Sequence, residues 1–252
     1  MVGGESMPIR KKISPLIIVI LILITGAFLL YHWGILQFNH PDAETYPVQG
    51  VDVSTYQGSI DWPVLADNGL TFAFIKATEG SSFQDENFKY NWENAGKTHL
   101  KVGAYHFFSY ETSGATQAEN YIKTVPVKDD ALPPVVDIEF YGSYTRYTAP
   151  DKETTRRELT ELLNRLESHY GKRPIIYTST KPYATYIADY YNDYPIWIRN
   201  FYACPILSDH RQWTFWQYSD KGSLSGYTGY APNIDLNVYR GSYDAFMAQF
   251  GY

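Results

Sequence analysis

Two carboxylates stand two residues apart inside an otherwise apolar run, PPVVDIEF over residues 133–140. Successive side chains of a strand alternate between its two faces, so Asp137 and Glu139 are expected to project from the same face. Burying one carboxylate is costly, and a second one beside it is harder to ionise. The run therefore predicts a functional site, with an edge strand that carries a solvated acidic face as the alternative.

Paired carboxylates of unequal acidity suit glycoside hydrolysis. That reaction needs a protonated carboxyl group to release the leaving oxygen and an ionised group to support an oxocarbenium-like transition state. Glu139 lies farther out, beside a negative charge, so we expect a raised pKa and the role of general acid. Asp137 is expected to stay ionised, helped by hydrogen bonds or by Lys76. Retaining and inverting outcomes both stay open, because a Cα separation of about 6.6 Å is compatible with either spacing of the carboxyl groups.

Strand-like and helix-like runs take turns along the chain, which is typical of parallel βαβ units. Eight strands suggest closure, so the expected fold is α/β, an irregular TIM-like barrel with few late helices. An open doubly wound sheet is the alternative, but no Gly-rich phosphate loop follows the first strand. The predicted strands are residues 50–54, 72–78, 101–108, 133–140, 173–179, 195–201, 213–218 and 234–239, and the five predicted helices are residues 62–68, 86–97, 114–125, 151–170 and 182–190.

Functional residues of such barrels lie at the C-terminal ends of the strands. The first and last strands are neighbours in a closed barrel, so Asp52 and Asp235 are expected to join the central pair at one mouth, although each also fits an ordinary turn. His106, among apolar neighbours, is expected to be a satisfied core histidine. Candidates for substrate contact at these strand ends, with core filling or charge balance as their alternative roles, are Lys76, Tyr105, Tyr177, Trp197 and Gln217.

The composition narrows the range of partners. A formal net charge of -6 and the lack of a Lys/Arg cluster in the body of the chain argue against nucleic acid. The 24 Tyr and 6 Trp residues supply flat, partly polar surfaces that suit stacking on a ligand. A single cysteine, Cys204, excludes an intramolecular disulfide framework and a cysteine-rich metal site. We expect a monomer.

The N-terminus has the pattern of a membrane anchor. Three basic residues at positions 10–12 precede an uncharged, mostly apolar stretch over residues 13–31, close to the ~20 residues that span a bilayer. The stretch is longer than the ~7–15 residues of a signal-peptide core and lacks a clear cleavage site. A cleaved signal peptide with secretion is the alternative. The expected organisation is a cytoplasmic N-terminus (1–12), a transmembrane anchor (13–35), a linker (36–47) and an extracytoplasmic domain (48–252).

Two other classes of protein fit the four acids. The carboxylates could hold Mg²⁺ or Ca²⁺ for phosphoester hydrolysis, or the mouth could belong to a glycan-binding module without turnover. The many aromatic rings and the absence of paired-His or Cys ligand patterns argue against the metal site.

Seven segments occur in the order typical of one known family, and together they make the chain similar to glycoside hydrolase family 25, the lysozymes. The resemblance covers residues 48 to about 252 and leaves out the apolar N-terminal run. It implies a flattened, irregular β/α barrel with eight strands and five helices, and no metal or other cofactor. The segments are GVDVSTYQGSIDW, FAFIKATEG, GAYHFF, PPVVDIEF, PIIYTS, WQYS and IDLNVYRG.

The resemblance also implies an activity. Members of this family cleave the β-1,4 bond between N-acetylmuramic acid and N-acetylglucosamine in peptidoglycan. By resemblance Glu139 is the general acid, and Asp137 acts beside it. A route assisted by the N-acetyl group of the substrate is the one commonly proposed, with a covalent route as the alternative. Asp52 and Asp235 match two further acids at the floor of the groove. Tyr105 and Tyr177 lie in segments that usually line it.

Overall fold

The chain forms two compact units, Met1–Phe38 and Asn39–Tyr252. The structure, a computed structural model, describes residues 14–32, 39–145, 147–229 and 231–251. In the first unit it contains one helix, α1, over Pro15–His32.

Most large apolar side chains of α1 are exposed. Its 18 residues extend about 27 Å at ~1.5 Å per residue, against a hydrocarbon core of about 30 Å. Among the residues that the structure describes, no helix combines the length and apolarity that crossing a membrane requires. The transmembrane anchor expected over residues 13–35 is therefore not supported. Residues 13 and 33–35 of that segment, and the basic N-terminus 1–12, lie outside the described residues.

The second unit is built on one sheet. Eight of its nine strands close into a barrel in the order β1-β9-β8-β7-β6-β5-β4-β2, with β1 also paired to β2, and β3 is attached to the outer end of β2. The strands are β1 Gln49–Val53, β2 Phe72–Glu79, β3 Phe83–Gln84, β4 Lys101–Phe107, β5 Val135–Ile138, β6 Ile175–Ser179, β7 Ile196–Arg199, β8 Phe215–Gly222 and β9 Ile234–Tyr239. The eight-stranded barrel predicted from the sequence is confirmed.

Helices cover the outside of the barrel. The longest, α5, begins where the Asp151 side chain accepts a hydrogen bond from the Thr154 N–H at 2.8 Å, and it ends at Gly171, whose φ of 65° is left-handed. Its leucine stripe is fully buried in the apolar cluster that also contains residues of the strands. The helices of this unit are α2 Trp62–Ala66, α3 Phe88–Ala95, α4 Gly114–Thr124, α5 Lys152–Tyr170, α6 Thr180–Pro182 with a π-helical turn over Tyr183–Ile187, and α7 Tyr243–Phe250.

The last strand runs against its neighbours. Neighbouring strands of the barrel from β1 through β2 and β4 to β8 pair in parallel, whereas β9 is antiparallel to both β8 and β1. An antiparallel pair needs no crossover helix, which explains why no helix separates β8 from β9. The expectation of parallel βαβ units throughout is therefore wrong for β9.

Aromatic side chains fill the barrel interior. Phe74 stacks on Trp197 at a centroid distance of 4.6 Å, and Phe72 contacts Phe215 at 5.1 Å. Gly50 leaves room for these rings, because a Cβ there would lie 2.4 Å from the Phe72 ring. The short helix α7 and the two-residue strand β3 are absent from the sequence-based prediction, and α7 adds Phe246 and Phe250 to this interior cluster.

The chain joins the barrel earlier than the expected linker suggests. Asn39 is buried, and its Nδ2 donates to the carbonyl of Asn200 at 3.2 Å. The ring of Tyr46 packs on Trp213 at 5.9 Å. Residues from 39 onward thus pack on the barrel as part of the second unit.

Candidate active site

A cleft of about 270 Å³ opens at the C-terminal ends of the parallel strands. Eight of the nine residues that the sequence nominated line it: Asp52, Asp137, Glu139, Asp235, Lys76, Tyr105, Tyr177 and Gln217. The ninth, Trp197, does not.

Strand β5 carries the central pair into this cleft. It is bonded to β4 on one side and to β6 on the other, with Asp137 opposite Phe107 and Tyr177. Asp137 and Glu139 face the cleft, while Val136 and Ile138 are fully buried on the helix side. The edge-strand alternative is therefore wrong, because β5 has no free edge.

Glu139 combines burial with a neighbouring cation. Its Oε1 lies 2.9 Å from the Nη2 of Arg199, at the end of β7. Burial raises the pKa of Glu139 above its usual value, although Arg199 and a hydrogen bond with Ser179 oppose the shift. A carboxyl group with a raised pKa is what a general acid requires.

Asp137 lies deeper. It is 7% exposed, and its Oδ1 has no hydrogen-bond partner among the described residues. Burial raises the pKa of Asp137 well above its usual value, and the charge of Glu139 adds to the rise, with Arg199 and Lys76 opposing. Burial and the charge of Glu139 therefore work against the expectation that Asp137 stays ionised, whereas Arg199 and Lys76 favour it.

Lys76 is directed to a different acid. Its Nζ bonds Glu79 Oε2 at 2.8 Å and lies 5.3 Å from the ring centroids of both Phe83 and Phe107. Lys76 consequently offsets the charge of Asp137 only from a distance.

The second carboxyl pair is formed by β1 and β9. Asp52 and Asp235 are opposite each other in the antiparallel register, so Asp235 reaches the mouth from the start of its strand. Asp52 Oδ1 accepts hydrogen bonds from Asn237 Nδ2 at 2.7 Å and from Gln217 Nε2 at 2.9 Å. Gln217 Nε2 also reaches Asp235 Oδ2, at 3.3 Å.

These two acids differ in the groups that favour their charged forms. Burial, the negative charge of Asp52 and a hydrogen bond between the two groups together hold the pKa of Asp235 well above its usual value. Burial also raises the pKa of Asp52, but hydrogen bonds from Asn237 and Gln217 work against that rise. The hydrogen bonds therefore favour the charged form of Asp52 over that of Asp235.

Trp197 supports the site from below. Its side chain is only 1% exposed, so it lies too deep for the direct contact with a substrate that the sequence suggested. Its Nε1 donates to Asn237 Oδ1 at 2.8 Å, which directs the amide nitrogen of Asn237 at Asp52. In the same way the Tyr177 hydroxyl donates to Gln217 Oε1 at 2.8 Å and fixes the orientation of that amide.

Two residues that contact the acids of the cleft were not selected as site residues from the sequence, although Arg199 stands near the end of a predicted strand. Arg199 pairs with Glu139, and Asn237 holds Asp52. Strand periodicity was the signal for both, because Arg199 follows Trp197 by two residues and Asn237 follows Asp235 by two.

His106 behaves as expected, since its ring nitrogens bond Thr78 and Gln117 at 2.7 and 3.0 Å, and burial lowers its pKa to about 4.

Comparison with known proteins identifies the class. The sequence profile of glycosyl hydrolases family 25 matches residues 51–227, and the chain belongs to this family. Protein YegX of Escherichia coli (strain K12) is 37% identical over 209 residues, which cover 81% of this chain and 74% of that protein. Lysozyme M1 of Streptomyces globisporus is 32% identical over 215 residues, with 82% and 72% covered. The solved family 25 glycosyl hydrolase from Bacillus anthracis superimposes with a TM-score of 0.80 at 48% identity and covers 85% of this chain and 98% of that structure.

Metal binding was the competing use of the four acids. Across residues 14–32, 39–145, 147–229 and 231–251, no group of three or more His, Cys, Asp and Glu side chains is arranged to hold a metal ion. The acids instead lie as two carboxyl pairs, one at the C-terminal end of β5 and one between β1 and β9.

Proposed function

We propose that the chain is a peptidoglycan hydrolase that cleaves the β-1,4 bond between N-acetylmuramic acid and N-acetylglucosamine. The observation that carries this proposal is the pair Asp137 and Glu139 at the mouth of a closed family 25 barrel, with raised pKa values on both carboxyl groups. The relative named a lysozyme supports the substrate class.

In this proposal Glu139 is the general acid. Its carboxyl proton passes to the glycosidic oxygen as the bond from that oxygen to the anomeric carbon breaks, and the positive charge develops on the sugar. The carbonyl oxygen of the substrate's N-acetyl group closes on the anomeric carbon. Water then opens this ring, and the Glu139 carboxylate takes the proton of the water, which restores the free enzyme.

Asp137 is proposed to bind the N-acetyl group of the substrate. Its unpartnered Oδ1 can accept the amide N–H of the substrate, and that bond becomes stronger as the amide nitrogen gains positive charge. We assign Asp52 and Asp235 to the floor of the cleft, where the negative charge of Asp52 supports the cationic sugar. Tyr105, Tyr177 and Gln217 complete the walls against which a sugar binds.

The decisive experiment is digestion of purified peptidoglycan, followed by mass analysis of the new reducing ends. Reducing N-acetylmuramic acid is the expected product, whereas reducing N-acetylglucosamine would indicate a glucosaminidase. Glu139→Gln keeps the shape of the side chain and removes the proton, so turnover should fall about 10²–10⁴-fold. Equally low release of glycan fragments by wild type and variant would instead indicate a glycan-binding module without turnover. Loss of activity in EDTA would indicate the metal-dependent hydrolase.

We infer that the catalytic unit works outside the cytoplasmic membrane, where its substrate lies. The exposed apolar side chains of α1 and the basic residues before it support an N-terminal segment that engages the membrane. Fractionation of cells distinguishes two forms of the proposal. A retained anchor places the activity in the membrane pellet, and a cleaved signal peptide releases it into the medium with a shortened N-terminus.

A further inference from the structure

We propose that a row of aromatic rings beside the cleft binds the glycan strand beyond the sugars at the scissile bond. The inference rests on the proposed function and specifies its substrate as long glycan strands. The row consists of Phe83, Phe107, Tyr141 and Tyr144.

The rings form a chain of contacts that starts in the cleft. Phe107 lines the cleft beside Glu139, and its ring lies 5.4 Å from that of Tyr141. Tyr141 in turn lies 5.6 Å from Tyr144. On the other side the Lys76 ammonium, 5.3 Å from each ring, bridges Phe107 to Phe83. The row is thus continuous with the site where the bond is cleaved.

The two tyrosines are held by their hydroxyl ends. Both donate hydrogen bonds to Glu111, Tyr144 at 3.1 Å, and the Tyr110 N–H donates to the Tyr141 hydroxyl at 3.0 Å. The Ser109 hydroxyl also bonds Glu111, at 2.7 Å. With their polar ends fixed in this way, the rings lose little conformational freedom when a ligand binds them.

The rings are accessible. Phe83 is 48% exposed, and Phe107, Tyr141 and Tyr144 are half-buried. The exposed ring of Phe83 lies next to Lys76, a residue that lines the cleft, so it offers apolar surface to a ligand that extends out of the cleft. A glycan strand has the matching chemistry, because each sugar presents apolar C–H faces for the rings and hydroxyl groups for the surrounding water and polar side chains.

Chain-length dependence tests the inference. We would compare kcat/KM on long glycan strands with kcat/KM on a peptidoglycan tetrasaccharide for wild type, Phe83→Ala and Tyr144→Ala. Each substitution removes one stacking surface, so each should lower the ratio of the two values about fivefold. The matched variant Tyr144→Phe keeps the ring and loses only the bond to Glu111, so its ratio should fall clearly less than that of Tyr144→Ala. Tyr243→Ala, an exposed ring on α7, controls for general effects of losing a surface aromatic.

Three outcomes would overturn the inference. Unchanged ratios for Phe83→Ala and Tyr144→Ala would show that the rings do not bind substrate. A loss for Tyr144→Phe as large as for Tyr144→Ala would assign the effect to the Glu111 hydrogen bonds rather than to stacking. A wild-type chain that cleaves neither substrate would refute the proposed function itself, which is a different result from a chain that cleaves both without regard to length.

Discussion

Asp52 and Asp235 stand opposite each other across the antiparallel pairing of β1 with β9, so residues from the two ends of the barrel sequence place their carboxyl groups side by side. The amide groups of Gln217 and Asn237 both donate to Asp52. These bonds favour the charged form of Asp52, whereas the pKa of Asp235 is raised well above its usual value. This arrangement costs stability at neutral pH, because a buried site must hold charge.

The first prediction concerns the pH dependence of stability. Stabilisation by an acid with a raised folded-state pKa is complete below its unfolded pKa, about 3.8 for Asp, and is lost as the pH rises through the folded pKa. The free energy of unfolding should fall as the pH rises from 4, and Asp235→Asn should reduce that fall. We expect the variant to be about 0.5–2 kcal/mol more stable than wild type at pH 7, measured by urea unfolding across a pH series.

Asp151→Asn is the control for this measurement. Asp151 is the exposed N-cap of α5, and its pKa is lowered by the backbone and side-chain hydrogen bonds of Thr154. Its contribution therefore has the opposite sign, since it is present above the unfolded pKa and is lost as the pH falls. In Asp151→Asn the free energy of unfolding should therefore fall toward neutral pH as much as it does in wild type. An Asp235→Asn chain whose stability declines as in wild type would contradict the raised pKa of Asp235.

The second prediction concerns the end of the barrel away from the cleft. Phe246 of α7 is fully buried and contacts Phe72 at 5.9 Å and Tyr239 at 5.3 Å. Phe246→Ala should lower the free energy of unfolding by about 3–5 kcal/mol, as expected for a large ring lost from a core. Tyr243→Ala on the exposed side of the same helix should change it little. Comparable losses for both variants would mean that helix formation, rather than filling of the barrel, accounts for the effect.

Local periodicity explains what could be predicted from the sequence. Side chains of any strand alternate, so the shared face of Asp137 and Glu139 follows from their spacing alone. Closure of eight strands also follows, and it brings Asp52 next to Asp235. The direction of β9 does not follow from local pattern, because either direction presents the same alternation and only the closed sheet selects one. Asp235 was therefore assigned to the mouth correctly, although it lies at the start of its strand and not at the end.

Depth within the barrel is the other property that local pattern does not give. Trp197 and Arg199 both point inward from β7, yet Trp197 packs on Phe74 below the cleft, while Arg199 reaches Glu139 at its floor. The strand pattern gives the face, and the stagger between strands decides the layer.

The missed helix α7 did have a local signal, since the Ser242 hydroxyl caps it by accepting from the Ala245 N–H at 3.2 Å.

The third prediction concerns the pH dependence of turnover. Arg199 lowers the pKa of Glu139 against the larger effect of burial. In Arg199→Gln this opposition disappears, so the pKa of Glu139 should rise and the acid should keep its proton to higher pH. The alkaline limb of the kcat/KM profile should shift upward in pH. Arg173→Gln, which removes an exposed partner of Glu167, should leave the profile in place, and a downward shift in Arg199→Gln would contradict the role assigned to Arg199.

The fourth prediction distinguishes positioning from substrate contact at Trp197. In Trp197→Phe the indole donor is lost, Asn237 is free to turn, and Asp52 loses the hydrogen bond of 2.7 Å that this amide supplies. The substitution weakens the hydrogen bonding of Asp52 at the floor of the cleft and removes no contact with the sugar. We therefore expect kcat to fall roughly tenfold while KM stays near its wild-type value.

A second buried tryptophan provides the matched control for that measurement. Trp213 is 3% exposed and also donates one hydrogen bond, from Nε1 to the Pro205 carbonyl at 3.2 Å. Trp213→Phe therefore removes the same group from a comparably buried site, and kcat should be retained. A rise in KM without loss of kcat in Trp197→Phe would mean that the ring contacts the substrate, because lost ground-state binding changes KM alone. Equal losses of kcat in both variants would indicate general destabilisation, and only a loss confined to Trp197→Phe supports the path from the indole through Asn237 to Asp52.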